Sequence, residues 1–345
     1  MSSGMVGRLA AIVRPVPVPL ILDVDTGVDD LIALLVAIAS PEVELIGATS
    51  VTGNVHVDTA TRNTLLSLEI AGAGDVEVAR GAATPLSQSW EAFTVVHGEE
   101  GLGGFEVREP AATASALDAA TLILERARER PGEVWLVATG PLTNVALAVR
   151  EEPALPELLG GFALMGGAFR EGGNVTPRAE ANVWMDPEAA EAVFDAWAGA
   201  APAQLPRCLG LDVTERVWLS AIDVETMCAP APRSELATLI RTAVRFYADF
   251  YASTGRYEGA CMHDPLALIA AIQPSVCTWE NTRVQVELDG RWTRGETVTD
   301  LLAIRNSPWS DWPEAENARV ATAVDARVVV DLMVDRLRGL VAARG

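Results

Sequence analysis

The sequence predicts an α/β fold: a mostly parallel open sheet flanked by helices, with additional helices and a small β-hairpin toward the C-terminus. Three observations predict it. From Val18 onward, short β-branched runs alternate with stretches of helical periodicity, the pattern of βα units. The 345 residues are 50% hydrophobic, enough for a large core. No repeat or low-complexity linker breaks the alternation, so residues 18–345 are expected to form one domain behind a flexible N-terminal arm at 1–17.

The first six strands are read from "PLILDV", "VELIGATSV", "VEVARG", "VWLVATG", "FALMGG" and "RCLGLDV". Between them "DDLIALLVAIAS", "VDTATRNTLLSLEIAG" and "DAATLILERARER" read as helices, the last stopped by Pro131 and Gly132. In the first helix Leu31, Leu34, Leu35 and Ile38 share one face, which places Asp29 and Asp30 in its first turn. The later chain gives a long helix over residues 236–254, a helical "MHDPLALIAAI", and "RVQVELDGRWTRGETVTD" as a hairpin turning at Asp289 and Gly290. "ARVVVDLMVDRLRGLV" closes the chain as a helix.

Composition narrows the partners. The formal net charge is −21, and the 26 basic residues are all Arg. Phosphate neutralisation needs clustered basic side chains, so a nucleic acid or an anionic membrane is not the expected partner. The absence of Lys removes Schiff-base chemistry and a P-loop lysine. Cys208, Cys228, Cys261 and Cys277 are scattered, without the spacing of a zinc site or a disulfide framework. The opening stretch is apolar only from Leu9 to Val13, too short for a signal or a membrane span, so a cytoplasmic location is expected.

The chemistry concentrates in "LILDVDTGVDD", which puts Asp23, Asp25, Asp29 and Asp30 within eight positions. Each carboxylate raises the cost of ionising the next. The stretch is therefore either a solvated acidic helix start or a set of hard oxygen donors gathered round a cation such as calcium or magnesium. Asp23 and Asp25 end a strand, and the crevice beyond strand C-termini is where open α/β sheets bind ligands. Asn54, Thr139, His263 and Asp264 also lie at predicted strand ends or helix starts. "LMGGAFREGGNVTPRAEANVWMDPEAA" sets Met165, Asn174, Glu180 and Asn182 beside a Gly-rich loop. Such side chains either bind several hydroxyls of one sugar or perform turn chemistry.

Taken together these stretches resemble the inosine-uridine preferring nucleoside hydrolases. Asp23, Asp25, Gly27, Asp29 and Asp30 match that family's DxDxGxDD motif, and the likeness continues through Asn54, "TGPLTN", "LMGG", "GN" with "ExN", "DPEAA", "HDP" and "RGETVTD". It covers nearly everything from Pro19 onward. The resemblance implies a calcium-dependent hydrolysis of the N-ribosidic bond of ribonucleosides. It assigns calcium to Asp25, Asp30, the Thr139 carbonyl and Asp264, with Asp25 also the general base on the metal-held water. Asp29, Asn54 and Asn182 would bind ribose hydroxyls, Asn174 and Glu180 the 5'-hydroxyl side, and Met165 would pack beneath the sugar. Asp23 would orient the motif.

An oxocarbenium-like transition state also needs help for the departing base. His263, with an unperturbed pKa of about 6.5, is the candidate acid. His97, in a His-Gly loop, is a candidate base contact, and so are Tyr251 and Tyr257; the remaining aromatics near residue 250 are expected to be core. The resemblance also implies a homo-oligomer. Two departures stand out: Thr26 occupies a position where many members carry Pro, and the loop from Met165 to Asn174 is about one residue longer. Two rival classes fit the residues less well. Haloacid dehalogenase-like phosphatases share a DxDx start but normally need a lysine, and a non-catalytic nucleoside-binding protein would have no use for His263 as an acid.

Overall fold

A computed structural model of the chain describes residues 16–256, 258–301 and 311–344. Most of the expected arm and Tyr257 lie outside the described residues.

Twelve strands are present among them: β1 (Val18–Val24), β2 (Val43–Ser50), β3 (Val78–Arg80), β4 (Trp135–Ala138), β5 (Gly161–Met165), β6 (Arg207–Leu209), β7 (Trp218–Leu219), β8 (Ala260–Cys261), β9 (Cys277–Thr282), β10 (Val284–Val286), β11 (Thr297–Thr299) and β12 (Ala318–Val324). Eight form one sheet in the order β3-β2-β1-β4-β5-β6-β12-β9. All its neighbours run parallel except the edge strand β9, which pairs antiparallel with β12. β1 is buried over nearly its whole length because helices cover both faces of the sheet, which explains its unbroken apolar run.

Strand order reverses between β1 and β4, and the crevice opens at that switch point. Asp23 is in register with Ala138, so the segment after β1 lies beside the segment after β4. The helix Val28–Ala39 starts there, and its residues 28–37 are all buried. It packs against the helices His263–Ile272 and Ala326–Arg344. The helix His263–Ile272 is likewise buried through residue 271, so its composition is apolar all round apart from His263 and Asp264 at its start. Its far end is clamped by Arg207, which donates to the carbonyls of Ala270 at 2.9 Å and Ala271 at 2.7 Å while its guanidinium stacks over Trp135.

Three features depart from the sequence reading. "RCLGLDV" divides: β6 ends at Leu209 and Leu211–Thr214 form a helical turn, because the Asp212 carboxylate accepts the Phe169 and Arg170 N–H groups and cannot lie along a strand. The expected hairpin is present as β10 and β11, but its loop runs from 287 to 296 instead of turning at Asp289 and Gly290. There the Glu287 carboxylate binds the Asp289 and Gly290 N–H groups and holds them in a local turn inside the larger loop. β9 and β12 were not anticipated, since three of the seven residues of β12 are Ala, and β9 is a partly exposed edge. No helix among the described residues is long and apolar enough to cross a membrane.

Candidate active site

The four clustered aspartates sit in the crevice with different partners. Asp23 is buried at the end of β1, and its Oδ1 accepts from Thr49 Oγ1 at 2.6 Å and Asn144 Nδ2 at 2.7 Å. Burial nonetheless pushes its pKa up to about 6. Asp30 is held from several directions: by the Gly27 N–H at 2.9 Å, Asn54 Nδ2 at 3.2 Å, Thr139 Oγ1 at 2.7 Å and the Asp25 N–H at 3.3 Å. Asp25 Oδ2 accepts the Asn54 N–H at 2.7 Å, whereas its Oδ1 is buried with no partner. Asp29 Oδ1 is also buried and unpartnered.

These groups repel one another in a low-dielectric place. Burial, and then the charge of Asp30, push Asp29 up to about 8 and raise Asp25 well above its ordinary value. Asp264, in the first turn of its helix, is raised by burial and by Asp29, Asp30 and Asp25. Asp29, Asp30 and Asp264 bring carboxylate oxygens within 4.8 Å of one another. Hard oxygen donors converging in this way, with Asp29 Oδ1 among them and Asp25 Oδ1 in the same crevice both buried and unpartnered, fit a divalent cation of the calcium or magnesium type. Close approach is built into the backbone: a Cβ at Gly53 would come within 2.0 Å of Asp25 Oδ2.

A second group borders the carboxylates. Asn182 Nδ2 donates to the Thr139 carbonyl at 2.6 Å and the Met165 carbonyl at 3.1 Å, tying the ends of β4 and β5 together. Glu180 caps the short helix Ala181–Met185, accepting the Asn182, Val183 and Gly167 N–H groups. Burial raises its pKa against those bonds. Asn174 Oδ1 accepts the Ala181 N–H at 2.9 Å.

Opposite stands an aromatic and imidazole wall. His263 Nδ1 lies 2.7 Å from Thr214 Oγ1, and its Nε2 lies 2.6 Å from the Tyr251 hydroxyl. Burial depresses His263 to about 4, so the ordinary imidazole value assumed from sequence does not hold and the ring is neutral near pH 7. His97 is buried and not part of an open surface loop. Its Nδ1 accepts the Val28 N–H at 3.1 Å, and its ring lies 5.2 Å from that of Tyr247. Burial holds it near 3. A Cβ at Gly27 would meet His97 Nδ1 at 2.4 Å, so this approach too needs glycine.

One cavity of about 420 Å³ joins both walls. Asp29, Asn54, His97, Thr139, Met165, Asn174, Glu180, Asn182, Tyr251, His263 and Asp264 line it, while Asp25 and Asp30 stand just behind. Sequence reasoning missed Phe93, Tyr247, Thr214 and Asp212. Tyr247 lines the cavity, hydrogen-bonds Asp29 and meets Tyr251 edge to face at 4.9 Å. The four-residue spacing of Tyr247 and Tyr251 on one helix was the available signal.

Comparison with known proteins decides the family. The model of the inosine-uridine preferring nucleoside hydrolases matches residues 20–331. The chain belongs to this family. It is thus a hydrolase of N-glycosyl bonds, and the phosphatase alternative falls away. The hydrolase is 36% identical over 320 residues to probable uridine nucleosidase 2 of Arabidopsis thaliana, covering 92% of this chain and 97% of that protein. It is 36% identical over 321 residues to the pyrimidine-specific ribonucleoside hydrolase RihA of Citrobacter koseri, covering 92% and 97% of the two chains. Among solved structures, a purine-preferring ribonucleoside hydrolase from Gardnerella vaginalis superposes with a TM-score of 0.86 at 31% identity, covering 94% of this chain and 99% of that one.

Proposed function

We propose that the protein hydrolyses the N-ribosidic bond of ribonucleosides with calcium at the carboxylate cluster, releasing ribose and the free base. The observation that carries this reading is the cavity itself. Its polar end is walled by the carboxylates of Asp29, Glu180 and Asp264, with an unpartnered, buried oxygen on Asp29, and its other end by rings that suit a nucleobase.

Asp25, Asp30, Asp264 and the Thr139 carbonyl would hold the cation; Asp30 and Asp264 converge within 4.8 Å together with Asp29, and the free Asp25 Oδ1 would reach the ion from behind them. Bound there, calcium would offset the repulsion among the carboxylates and lower the pKa of a water it holds. Asp25 takes a proton from the attacking water through its free Oδ1. Asp29, Asn54 and Asn182 hold the ribose hydroxyls, and Glu180 and Asn174 the 5'-hydroxyl side. Met165 packs beneath the ring. The carboxylates also stabilise the positive charge that develops on the sugar.

Base departure falls to the opposite wall. His263 is neutral at rest, so it acts as an N–H donor into the charge growing on the leaving base, directly or through the Tyr251 hydroxyl. With Nδ1 of His97 engaged by the Val28 N–H, the proton of that neutral ring sits on Nε2, available to a base oxygen or nitrogen.

The test is release of reducing sugar from uridine and from inosine by the purified protein, with and without a calcium chelator. Chelator-sensitive release, restored by added calcium, is expected. Absence of release from both nucleosides by calcium-loaded protein would overturn the proposal.

A further inference from the structure

Thr214 belongs to none of the motifs read from sequence, yet it is fully buried and directed at His263. It ends the helical turn Leu211–Thr214, where its N–H donates to the Gly210 carbonyl at 3.1 Å. The same turn is fixed from its other side by Asp212, whose carboxylate accepts the N–H groups of Phe169, Arg170 and Glu171. The Thr214 hydroxyl therefore sits on rigid backbone, and β-branching restricts its χ1 further. The only side-chain hydrogen bond it forms among those described is to His263 Nδ1 at 2.7 Å.

We propose that Thr214 is a positioning residue for base departure, donating its hydroxyl proton to His263 Nδ1 so that the ring proton stays on the Nε2 edge facing Tyr251. This rests on the assignment of His263 to the leaving base. The partners of the two ring nitrogens favour this tautomer: the Tyr251 hydroxyl donates to the Tyr247 hydroxyl at 3.4 Å, so it meets His263 Nε2 as an acceptor, and Nδ1 is left to accept from Thr214. A carbonyl or carboxylate at Nδ1 would accept only, drawing the proton to Nδ1 and leaving Nε2 without one. A hydroxyl can donate, which leaves Nε2 as the N–H. A valine would fill the same space but leave Nδ1 buried without a partner, freeing the ring to turn or to change tautomer.

The experiment compares calcium-loaded wild type with Thr214→Val, Thr214→Ser and His263→Ala on two kinds of substrate. Uridine and inosine need help for the departing base. A p-nitrophenyl riboside does not, because its leaving group departs as a stable anion. Thr214→Val should lower kcat on the nucleosides by about 10- to 100-fold. Turnover of the p-nitrophenyl riboside should stay within about twofold of wild type, and Thr214→Ser should restore nucleoside turnover. Equal loss on both substrate kinds, no loss on either, or failure of serine to rescue would overturn the proposal. Selective loss in His263→Ala with wild-type behaviour in Thr214→Val would sink Thr214 alone, whereas equal loss in His263→Ala would remove the histidine assignment and this proposal with it. A measurement on unmodified protein guards against a variant that does not fold. The chain has three histidines, so ¹⁵N NMR of histidine-labelled protein can resolve each ring. His263 in the Nε2–H form is expected, and the Nδ1–H form would refute the inference.

Discussion

Removing calcium should make the protein lose stability as pH rises from 5 to 8, the reverse of ordinary acid denaturation. The reasoning starts from Asp23, raised from 3.8 to about 6, and Asp29, raised from 3.8 to about 8. A carboxylate with a raised folded-state pKa binds its proton more tightly when folded, so its contribution is fully present below the unfolded value and disappears as pH climbs through the folded one. Between pH 5 and 8, Asp23 alone gives up about 1 kcal/mol and Asp29 about 4 kcal/mol. A combined loss of about 5 kcal/mol corresponds to a fall in Tm of roughly 10 °C in a chain of this size. With the cation present Asp29 stays ionised in the folded state, and most of its share vanishes. The assay is thermal unfolding followed by circular dichroism at pH 5, 6, 7 and 8, in chelator and in calcium. The stabilisation by calcium should therefore widen with pH. A chelated protein whose Tm is flat or rises across this window, or a calcium shift independent of pH, would refute the argument.

Asp25→Asn removes both the proposed base and a charged calcium ligand while keeping the Asn54 contact near 2.7 Å available, so kcat at saturating calcium should fall by about 10²- to 10⁴-fold and calcium affinity should fall with it, as read by steady-state kinetics and calorimetry. Asp212→Asn weakens an acceptor that holds three backbone N–H groups of the loop leading to Asn174. It should cost about 2 kcal/mol in urea unfolding and raise KM for ribonucleosides several-fold, with kcat on a p-nitrophenyl riboside reduced less than KM is raised. Arg207→Met frees the carbonyls at the end of the helix that begins with His263 and Asp264. Calcium affinity by calorimetry and nucleoside turnover should therefore decline together, whereas Thr214→Val separates them.

How much of this was legible depended on whether the information was local. Asp23, Asp25, Asp29 and Asp30 span one strand end and one helix start, so hydrophobic periodicity alone placed them together beyond the C-terminal end of a central strand. The parallel core strands were equally plain, because each is a compact apolar run. Thr214 was not, since its role exists only through a contact with a residue 49 positions away. Tyr247 read as core and is indeed buried; its spacing from Tyr251 puts the two on one helix face, but that this face borders the cavity is set by packing against His97. The acidity of His263 was misjudged for a related reason: the reference pKa describes an imidazole in water, and burial moved it to about 4. β9 and β12 escaped because their pairing with each other, and not their composition, makes them strands.

The two walls of the cavity are also joined through one helix. Asp264 points among the carboxylates while its neighbour His263 is held between Thr214 and Tyr251, so the cation side and the base side share two consecutive residues on a buried, clamped element. A carboxylate cluster that repels itself would be expected to push Asp264 away in the absence of a counter-charge. Any such movement would carry His263 with it and misplace the donor for the departing base. On the proposed reading, occupancy of the carboxylate cluster therefore does more than prepare the water: it sets the position of the leaving-group wall as well. Loss of the cation should accordingly disable both halves of the reaction at once, even though only one of them touches it.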